Sequence, residues 1–333
     1  MPEEMIIHSS IDRSSPSIAA IVVTWNAQAY AIECLESLRN NSTGLQLQTI
    51  VVDNASTDGT PEVIHTKFPE VQLVRAAANL GFSRANNLGI KLCDADYVCF
   101  INSDVVVPLR CLEAIVDYME QNPSVGMLGP KMIAPNGDVG DSVMRLPTIW
   151  NTLCCAMAFH RLFKRSKWFG GYMMAGFPYD STTDVEVLTG WFWMVRKAAL
   201  EQVGGLDEQF FMYGEDIDWS HRFRKAGWRV VFYADAWALH YGAASSSAAP
   251  ARFYVEMRRA NLQYFRKHHG WLGEAGYKLV LMLHELVRLA GHSAVYLLFS
   301  SRRKQAKSKI ASSLSCFGWL SGIVPIQHNK LAS

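Results

Sequence analysis

Short apolar runs alternate with helical patterns through the first third of the chain. The runs cover residues 18–23, 49–52, 71–74 and 97–101. Between them, apolar residues recur at spacings of three and four, which is the period of an amphipathic helix. Strands that alternate with helices at this interval indicate βαβ units. The pattern therefore predicts an α/β fold with a mostly parallel central sheet flanked by helices.

Polar residues follow three of these runs. Thr24 comes after the first, Asp53 after the second and Asp104 after the fourth. The carboxyl ends of parallel strands meet at one edge of a sheet, so we expect these side chains to lie close together there. A carboxylate at this edge suits a hard divalent cation that is shared with phosphate oxygens. For Asp53 the alternative is turn chemistry, because the residues after it favour turns in any protein.

The middle of the chain has a less regular pattern. It predicts one helix and then three strands, at residues 108–121, 125–133, 185–195 and 228–233. The run at 185–195 is interrupted by Thr189 and Gly190. Residues 147–182 show no clean period, and we expect a long, partly mobile excursion there.

A helical pattern at residues 215–225 opens with a cluster of acids. Glu215, Asp216 and Asp218 fall in its first turn, where the helix dipole stabilises acids without any functional reason. That explanation is weaker for Asp216, which lies close to the helical face of Trp219 and therefore points inward. His240, after the next strand, is either a hydrogen-bonded structural residue or a ligand, and the pattern leaves both open.

The last quarter of the chain predicts two helical segments, at residues 252–269 and 277–300. In the second, one helical sector carries Lys278, Glu285, Arg288 and His292. A spanning helix would carry these groups into the bilayer at a cost of about 2–3 kcal/mol each near its centre. An interfacial helix would keep them among the headgroups. The alternative is a helix packed on the rest of the protein or on a second subunit.

Charge and cysteine content narrow the partners and the compartment. The net charge is +2, but eleven basic and two acidic side chains lie between Arg258 and Lys309. This basic, leucine-rich tail favours an anionic membrane surface over nucleic acid, which would need exposed stacking aromatics. Seven scattered cysteines predict reduced thiols in the cytoplasm, and an acidic start without an apolar core predicts no signal peptide.

Six motifs follow one another along the chain: VVTWN at 22–26, VDNASTDGT at 52–60, NLGF at 79–82, NSD at 102–104, GGLDE at 204–208 and FMYGEDID at 211–218. Together they closely resemble the family 2 glycosyltransferases, in particular the rhamnosyltransferase-like branch that builds bacterial surface polysaccharides. The resemblance covers about residues 18–245. It implies a GT-A catalytic domain at 18–245, between a flexible N-terminus at 1–17 and a helical extension at 246–333.

The same resemblance assigns residues to the donor. It implies that Thr24, Asn26, Asp53 and Arg84 line the nucleotide pocket. In that pocket Asp53 accepts a hydrogen bond from the ring N–H of uracil or thymine.

Two further residues are implied as metal ligands. Asp104 resembles the last acid of the family's DxD motif, which holds Mg²⁺ or Mn²⁺ on the diphosphate. His240 resembles a histidine that completes this site. Asn102, counted with the nucleotide-binding residues, stands where the family has its first acid. One anionic ligand is therefore missing, which implies weaker or water-mediated metal binding.

For the acceptor, the resemblance implies that Asp216 is the general base. Glu215 and Asp218 then support it or shape the acceptor site, together with Gly190 and Trp191. One carboxylate suffices to remove the proton of an attacking hydroxyl. A single displacement with inversion needs no enzyme nucleophile, and no convincing Ser–His or Cys–His set is present.

The expected function is therefore metal-dependent, inverting transfer of a sugar, with a lean towards rhamnose, in surface polysaccharide synthesis. The donor would be a dTDP- or UDP-sugar, and the acceptor a glycan or lipid-linked glycan. We expect a cytoplasmic protein that is peripheral on the inner face of the plasma membrane, and a homo-oligomer stays open. Two alternatives remain: a non-catalytic sugar-nucleotide-binding assembly subunit, and a nucleotidyltransferase. The second would need a glycine-rich, basic phosphate loop, which residues 24–28 lack.

Overall fold

The computed structural model of the chain describes residues 16–41, 45–163, 166, 168–172, 174, 176–242 and 250–321. The N-terminal segment that was expected to be flexible therefore lies almost wholly outside the described residues. All structural statements concern these ranges.

The first third of the chain forms the predicted alternation of strands and helices. The elements are β1 (Ser17–Thr24), α1 (Gln28–Asn41), β2 (Gln46–Asp53), α2 (Thr60–Lys67), β3 (Gln72–Arg75), α3 (Phe82–Ile90), β4 (Tyr97–Asn102) and β5 (Val105–Val106). Strands β3, β2, β1 and β4 are neighbours in this order and pair in parallel. The register places Thr24 beside Asp53 and Val23 beside Asn102. The predicted shared edge of strand ends is thereby confirmed.

The rest of the chain completes the sheet and adds helices. The elements are α4 (Cys111–Gln121), β6 (Val125–Ile133), β7 (Val143–Met144), α5 (Ile149–Ala156), α6 (Phe159–Leu162), β8 (Thr183–Asp184), β9 (Val187–Leu188), β10 (Phe192–Arg196), α7 (Lys197–Val203), α8 (Glu215–Lys225), β11 (Arg229–His240), α9 (Pro250–Leu298) and α10 (Arg303–Leu320). The main sheet has the order β3-β2-β1-β4-β10-β6-β11-β5, and β8 pairs with β11. β10 runs antiparallel to both of its neighbours, and β7 and β9 form a separate pair.

The sheet is covered by hydrophobic clusters on its two faces, as period-two alternation along β1 requires. Ile18, Ala20 and Val22 belong to the cluster that also holds the buried side chains of α1 and α4. Ile21 belongs to the other cluster, with Trp193 of β10 and the aromatic residues of α8. The strand ends that carry the polar residues are therefore held between two packed layers.

Three local predictions differ from the structure. Residues 147–182 were expected to be an excursion without regular structure, but α5 forms there and begins with a capping box between Thr148 and Asn151. An eight-residue helix shows only two turns of periodicity, which explains the miss. The pair Thr60-Pro61 is typical of a helix with Thr60 as its N-cap, but α2 already includes Thr60 and has Gly59 at the cap position. β11 continues beyond the predicted strand because a register shift between Tyr233 and Trp237 lets it keep pairing with β6.

Helix α9 consists of two helical halves with a break at Gly270, whose φ is 65°. Its second half folds back so that Tyr254 donates a hydrogen bond to Glu285, which is completely buried. The guanidinium of Arg288 stacks 4.5 Å from the ring centre of Tyr254. Of the two arrangements that the sequence left open for this charged sector, the structure shows packing on the protein for Glu285 and Arg288, because both contact the first half of the helix. Within the described ranges, every helix is too short or too polar to span a bilayer.

Candidate active site

A cavity of about 440 Å³ opens at the edge where β1 and β4 end. Its walls come from the strand ends, the loops before β10 and α8, the end of β11 and the first half of α9. This is the edge where open α/β sheets bind ligands, because the strand ends and the helix starts converge there. The cavity is large enough for a substrate, so we take it as the candidate active site.

Asp104 and His240 meet at the wall of this cavity. Strand β5, just after Asp104, pairs antiparallel with β11, and the register sets His240 opposite Val105. The backbone N–H of Tyr241 also donates to the carbonyl of Asp104 at 3.0 Å. As a result, Nε2 of His240 lies 3.2 Å from Oδ1 of Asp104, although the two are far apart in sequence. Both side chains border the cavity.

Trp191 orients the imidazole of His240. The two rings stack with centres 5.5 Å apart and an angle of 20° between their planes. Trp191 is buried and borders the cavity, and its carbonyl accepts a hydrogen bond from the backbone N–H of Asn102 at 3.0 Å. The indole therefore links the end of β4 to the end of β11.

Asp216 borders the same cavity from the start of α8. Gly214 precedes the helix with a φ of 78°, so the chain turns sharply into the acidic first turn. The backbone N–H groups of Ile217 and Gly190 donate to the Asp216 carboxylate. Burial nevertheless outweighs these hydrogen bonds and raises the pKa of Asp216 to about 6. A carboxylate with a raised pKa is a stronger base than an exposed one.

Glu215 and Gly190 also border the cavity, as predicted. Burial, followed by the neighbouring charge of Asp216, raises the pKa of Glu215 well above its usual range. Oε2 of Glu215 is buried and finds no hydrogen-bond partner among the described residues. Gly190 has little room for a side chain: an added Cβ would lie 3.1 Å from the ring of Trp193 and 3.7 Å from the Cβ of Asp216.

Asp218 was predicted to support the acceptor site, but the structure does not bring it to the cavity. Its side chain is completely buried on another side of α8. Lys267 Nζ and His268 Nε2 lie 2.6 and 2.7 Å from its Oδ1, and Arg222 Nε lies 2.9 Å from its Oδ2. Although burial opposes ionisation, these partners prevail and lower the pKa of Asp218 to about 2. The correction follows from helix geometry, because two residues along a helix turn a side chain by about 200°.

The structure places only some residues of the predicted nucleotide end at the cavity wall. Thr24 and Asn102 border the cavity, whereas Asn26 and Asp53 do not. Asn26 joins two loops instead, because its Oδ1 accepts a hydrogen bond from the backbone N–H of Thr57 at 2.7 Å. Asp53 is buried, and its Oδ1 has no hydrogen-bond partner within the described ranges.

Arg84 was predicted to line the nucleotide pocket, and the structure places it elsewhere. Its side chain is 58% exposed and pairs with Glu208, with 3.3 Å between Nε and Oε2. The reason lies in the first turn of α3. Phe82 points to the cavity and packs on Trp193, so Arg84, two residues later, emerges on the outer side.

One cavity wall was not predicted from the sequence pattern. Phe253, Met257 and Asn261 of α9 border the cavity, and so does Tyr172. The three α9 residues follow one another at a spacing of four, which was visible as helical periodicity but gave no indication of the surface they cover. Tyr172 lies in the irregular region at 147–182.

A further link was present in the motifs but had received no role. An added Cβ on Gly81 would lie 2.4 Å from the carbonyl oxygen of Phe211. That carbonyl accepts a hydrogen bond from the backbone N–H of Phe82 at 2.7 Å. Glycine is therefore required for the loop before α3 to reach the loop before α8.

The donor atoms present fit a hard divalent cation. Asp104 offers carboxylate oxygens, which suit Mg²⁺ or Mn²⁺, and His240 offers an imidazole nitrogen, which is more typical of later transition metals, so the pair selects Mn²⁺ or Mg²⁺ only loosely. Their separation of 3.2 Å is close to the roughly 3 Å between adjacent ligands of an octahedral ion with bonds of about 2.1 Å. In the part of the chain that the structure describes, no cluster of three or more His, Cys, Asp or Glu side chains is arranged to hold a metal. The remaining ligands would come from phosphate and water, as is usual for Mg²⁺.

Comparison with known proteins identifies relatives of the chain. Residues 19–204 match the family model described as glycosyl transferase family 2. A curated relative from Mycobacterium tuberculosis, named N-acetylglucosaminyl-diphospho-decaprenol L-rhamnosyltransferase, is 31% identical over 266 residues, which cover 76% of this chain and 86% of the relative. The family match confirms the family to which the motifs pointed, and the name of the relative agrees with the rhamnosyltransferase-like branch.

Solved structures match the fold at low sequence identity. The mannosyltransferase PcManGT from Pyrobaculum calidifontis, solved with GDP-Man and Mn²⁺, has a TM-score of 0.51 and 17% identity, covering 91% of this chain and 87% of that one. The S. aureus TarS 1-349 structure with UDP-GlcNAc has a TM-score of 0.50 and 17% identity, covering 92% of each chain. At this identity the likeness concerns the fold alone, and it confirms the predicted GT-A fold.

Proposed function

Since the chain belongs to glycosyltransferase family 2, we propose that it transfers rhamnose from a dTDP-sugar to a lipid-linked GlcNAc acceptor, with inversion. The enzyme class is that of the family, so nucleotidyl transfer and non-catalytic binding are set aside. The lean towards rhamnose and this acceptor comes from the name of the Mycobacterium tuberculosis relative. The observation that carries the proposal is that Asp104, His240 and Asp216 border one cavity.

We assign the general base to Asp216. Its raised pKa, about 6, leaves it ionised near neutral pH and yet basic enough to take the proton of an acceptor hydroxyl. The N–H groups of Gly190 and Ile217 hold the carboxylate in one orientation. Glu215 lies directly beside it, and burial together with the charge of Asp216 raises the pKa of Glu215 well above its usual range.

We assign the diphosphate end of the donor to Asp104, His240 and Asn102. Asp104 and His240 would hold Mg²⁺ or Mn²⁺, and Asn102 would offer an amide oxygen in place of the family's first acid. When bound, such a cation neutralises the charge that develops on a departing nucleoside diphosphate. Trp191 keeps the imidazole of His240 in position by stacking on it.

We propose that Asp53 reads the base of the donor. Its buried Oδ1 has no partner within the described ranges, and a buried acceptor of this kind is costly unless a ligand donates to it. The ring N–H of thymine or uracil is such a donor. Thr24, in register with Asp53 and also buried with an unpartnered hydroxyl in the described structure, would share this end of the pocket.

We propose that the first half of α9 belongs to the catalytic unit and forms the acceptor wall with Tyr172. Phe253 and Met257 offer apolar surface there, and Asn261 an amide. A lipid-linked acceptor also requires the protein to work at a membrane surface. We therefore propose a peripheral location on the inner face of the membrane, where nucleotide sugars are available.

Donor binding tests this assignment directly. Titration calorimetry with dTDP-rhamnose, UDP-GlcNAc and GDP-mannose, with and without Mn²⁺, is expected to show Mn²⁺-dependent binding of the pyrimidine nucleotides. Asp104→Asn should remove the Mn²⁺-dependent part of the affinity, whereas Asp138→Asn, a control at an exposed turn, should leave it unchanged. Transfer is then followed with a synthetic polyprenyl-diphospho-GlcNAc. Binding of GDP-mannose alone, or equal binding by the Asp104 variant, would overturn the assignment.

A further inference from the structure

The second half of α9 turns an apolar face away from the protein. We propose that this face, together with the basic start of α10, docks the chain on an anionic lipid surface. The proposal rests on the proposed membrane location and names the surface that provides it. We call this surface the docking face; it comprises the outward positions of α9 from Leu279 to Leu298 and the exposed cations of α10.

The outward positions form one continuous helical sector. They are Leu279, Met282, Leu283, Leu286, Val287, Ala290, Ser293, Ala294, Leu297 and Leu298, all exposed. At 100° per residue they fall within about 160° of the helix circumference, and none of them is charged. Twenty residues of α-helix are about 30 Å long. Soluble proteins rarely leave a contiguous apolar strip of this length open to water.

The side of this helix that faces the protein carries ionisable groups beside apolar ones, since Glu285 is buried there together with Val280 and Leu281. Glu285 is completely buried and accepts a hydrogen bond from Tyr254, while Arg288 stacks on the ring of Tyr254. His284 Nδ1 lies 3.3 Å from the carbonyl of Ala156 on α5. An ordinary surface helix exposes its charges and buries its large apolar residues, whereas here ionisable groups pack inward and a whole apolar sector stays exposed. Within the described part of the chain, this sector has no apolar partner that covers it.

The charged residues beside the apolar strip indicate which kind of partner fits the docking face. Five exposed basic side chains lie on or just before α10, directly beyond the apolar strip: Arg302, Arg303, Lys304, Lys307 and Lys309. The sequence has no acidic residue after Glu285. Apolar positions beside a cluster of cations match the acyl chains and the phosphate headgroups of an anionic leaflet.

A second copy of the chain is a poorer match for the same face. Its own docking face would bring no acid to meet the cations. Glu274, a partly exposed acid of α9, already pairs with Arg266 and Lys278 at 2.8 Å each. An anionic lipid surface supplies the missing negative charge, whereas self-association through this face would place like charges in one interface.

Vesicle co-sedimentation of the full chain tests the proposal. We expect at least a tenfold stronger partition onto phosphatidylcholine vesicles with about 30% phosphatidylglycerol than onto pure phosphatidylcholine. Leu279→Ser with Leu286→Ser should lower the partition about tenfold. Leu109→Ser is the matched control, because Leu109 is 71% exposed outside this helix and Leu279 is 69% exposed within it. Lys304→Gln with Lys307→Gln and Lys309→Gln should lower binding to the anionic vesicles only.

Three results would overturn the proposal. The first is absence of wild-type binding to anionic vesicles, which needs no variant to fold. The second is equal binding by the leucine pair variant and the Leu109 control. The third is a dimer in sedimentation velocity that the leucine changes convert to monomer without vesicle binding, which would assign the face to a second copy. Donor calorimetry on the same samples separates this outcome from failure of the proposed function, because nucleotide binding does not depend on the docking face.

Discussion

Two sides of helix α8 place aspartates in opposite environments. Asp216 faces the cavity, where burial raises its pKa to about 6. Asp218, two residues later, faces Lys267, His268 and Arg222, and its pKa falls to about 2. The residues are chemically the same and belong to one acidic motif. The comparison teaches that surroundings, and not residue type or spacing, separate a candidate base from a structural anion.

The difference also shows how the C-terminal helix takes part in the site. Lys267 and His268 belong to α9, so Asp218 attaches the start of α8 to that helix. Three residues of the same α9 border the cavity. Asp218 therefore joins α8 to α9, and the candidate base Asp216 lies at the cavity that both helices border.

The largest expected effect comes from removing the base. Asp216→Asn keeps the shape of the side chain but cannot accept the proton, so kcat should fall by about 10³-fold or more. Dissociation constants for the donor should stay within about twofold of the wild type, because no binding contact is lost. Steady-state transfer assays and donor calorimetry measure the two quantities. Normal turnover by this variant would remove Asp216 from the mechanism.

The opposite side of α8 should respond in stability. Asp218→Asn leaves a lysine and an arginine without their buried counter-charge, which should lower the free energy of unfolding by about 3 kcal/mol. Asp207→Asn is the matched control, because Asp207 also pairs with Lys267, at 2.7 Å, but its side chain is 28% exposed. It should cost less than about 1 kcal/mol. Urea denaturation measures both, and equal costs would show that burial of Asp218 is unimportant.

The two aspartates should change the free energy of unfolding with pH in opposite directions. The folded pKa of Asp218, about 2, lies below its ordinary value of 3.8, so the stability it contributes is present above about pH 4 and is lost as the pH falls towards 2. The folded pKa of Asp216, about 6, lies above 3.8, so its contribution decreases as the pH rises from about 4 to 6. Each effect amounts to roughly 2–3 kcal/mol.

Denaturant titrations of the two asparagine variants from about pH 2.5 to 7 should therefore differ from the wild type in different windows. The Asp218 variant should lack the loss of stability at low pH, and the Asp216 variant should lack the decline between about pH 4 and 6. Parallel curves for all three proteins would contradict the opposite pKa shifts.

The smallest expected effect concerns the cavity side of α8, where Gly190 lies next to Asp216. Gly190→Ala would press a methyl group against Trp193 and towards Asp216, so the base should move by a few tenths of an ångström and kcat should fall about tenfold. Gly291→Ala, where nothing lies within 4 Å of the added Cβ, is the control and should leave kcat unchanged. A loss of unfolding free energy of more than about 3 kcal/mol would instead point to repacking of the core.

Much of the framework was predictable from the sequence, because buried strands and amphipathic helices leave strong periodic patterns. Residues 125–133 and 215–225 are examples, since both predicted elements have the bounds found in the structure. The meeting of Asp104 and His240 was suggested by resemblance to a family. Its physical basis, the antiparallel pairing of β5 and β11, appears only in the structure.

The failures have a common physical origin. Periodicity shows that a helix has two faces but does not say which face meets the protein. Asp218 and Arg84 were therefore assigned to the site although they point away from it. For the same reason the pattern left open whether the charged sector of α9 faces headgroups or the protein, and the structure buries Glu285 against the protein. Contacts between distant segments, such as α9 with the cavity, leave no local pattern at all.

The most direct test of the central claim is the pH dependence of kcat for sugar transfer between about pH 5 and 8, at saturating donor and Mn²⁺. The account predicts a rate that is constant above about pH 7 and falls tenfold per unit well below pH 6, as Asp216 takes up its proton. The Asp216→Asn variant should show a low rate with no such fall. A wild-type rate that stays level down to about pH 5, or a variant that keeps the same profile, would contradict the assignment of Asp216 as the base.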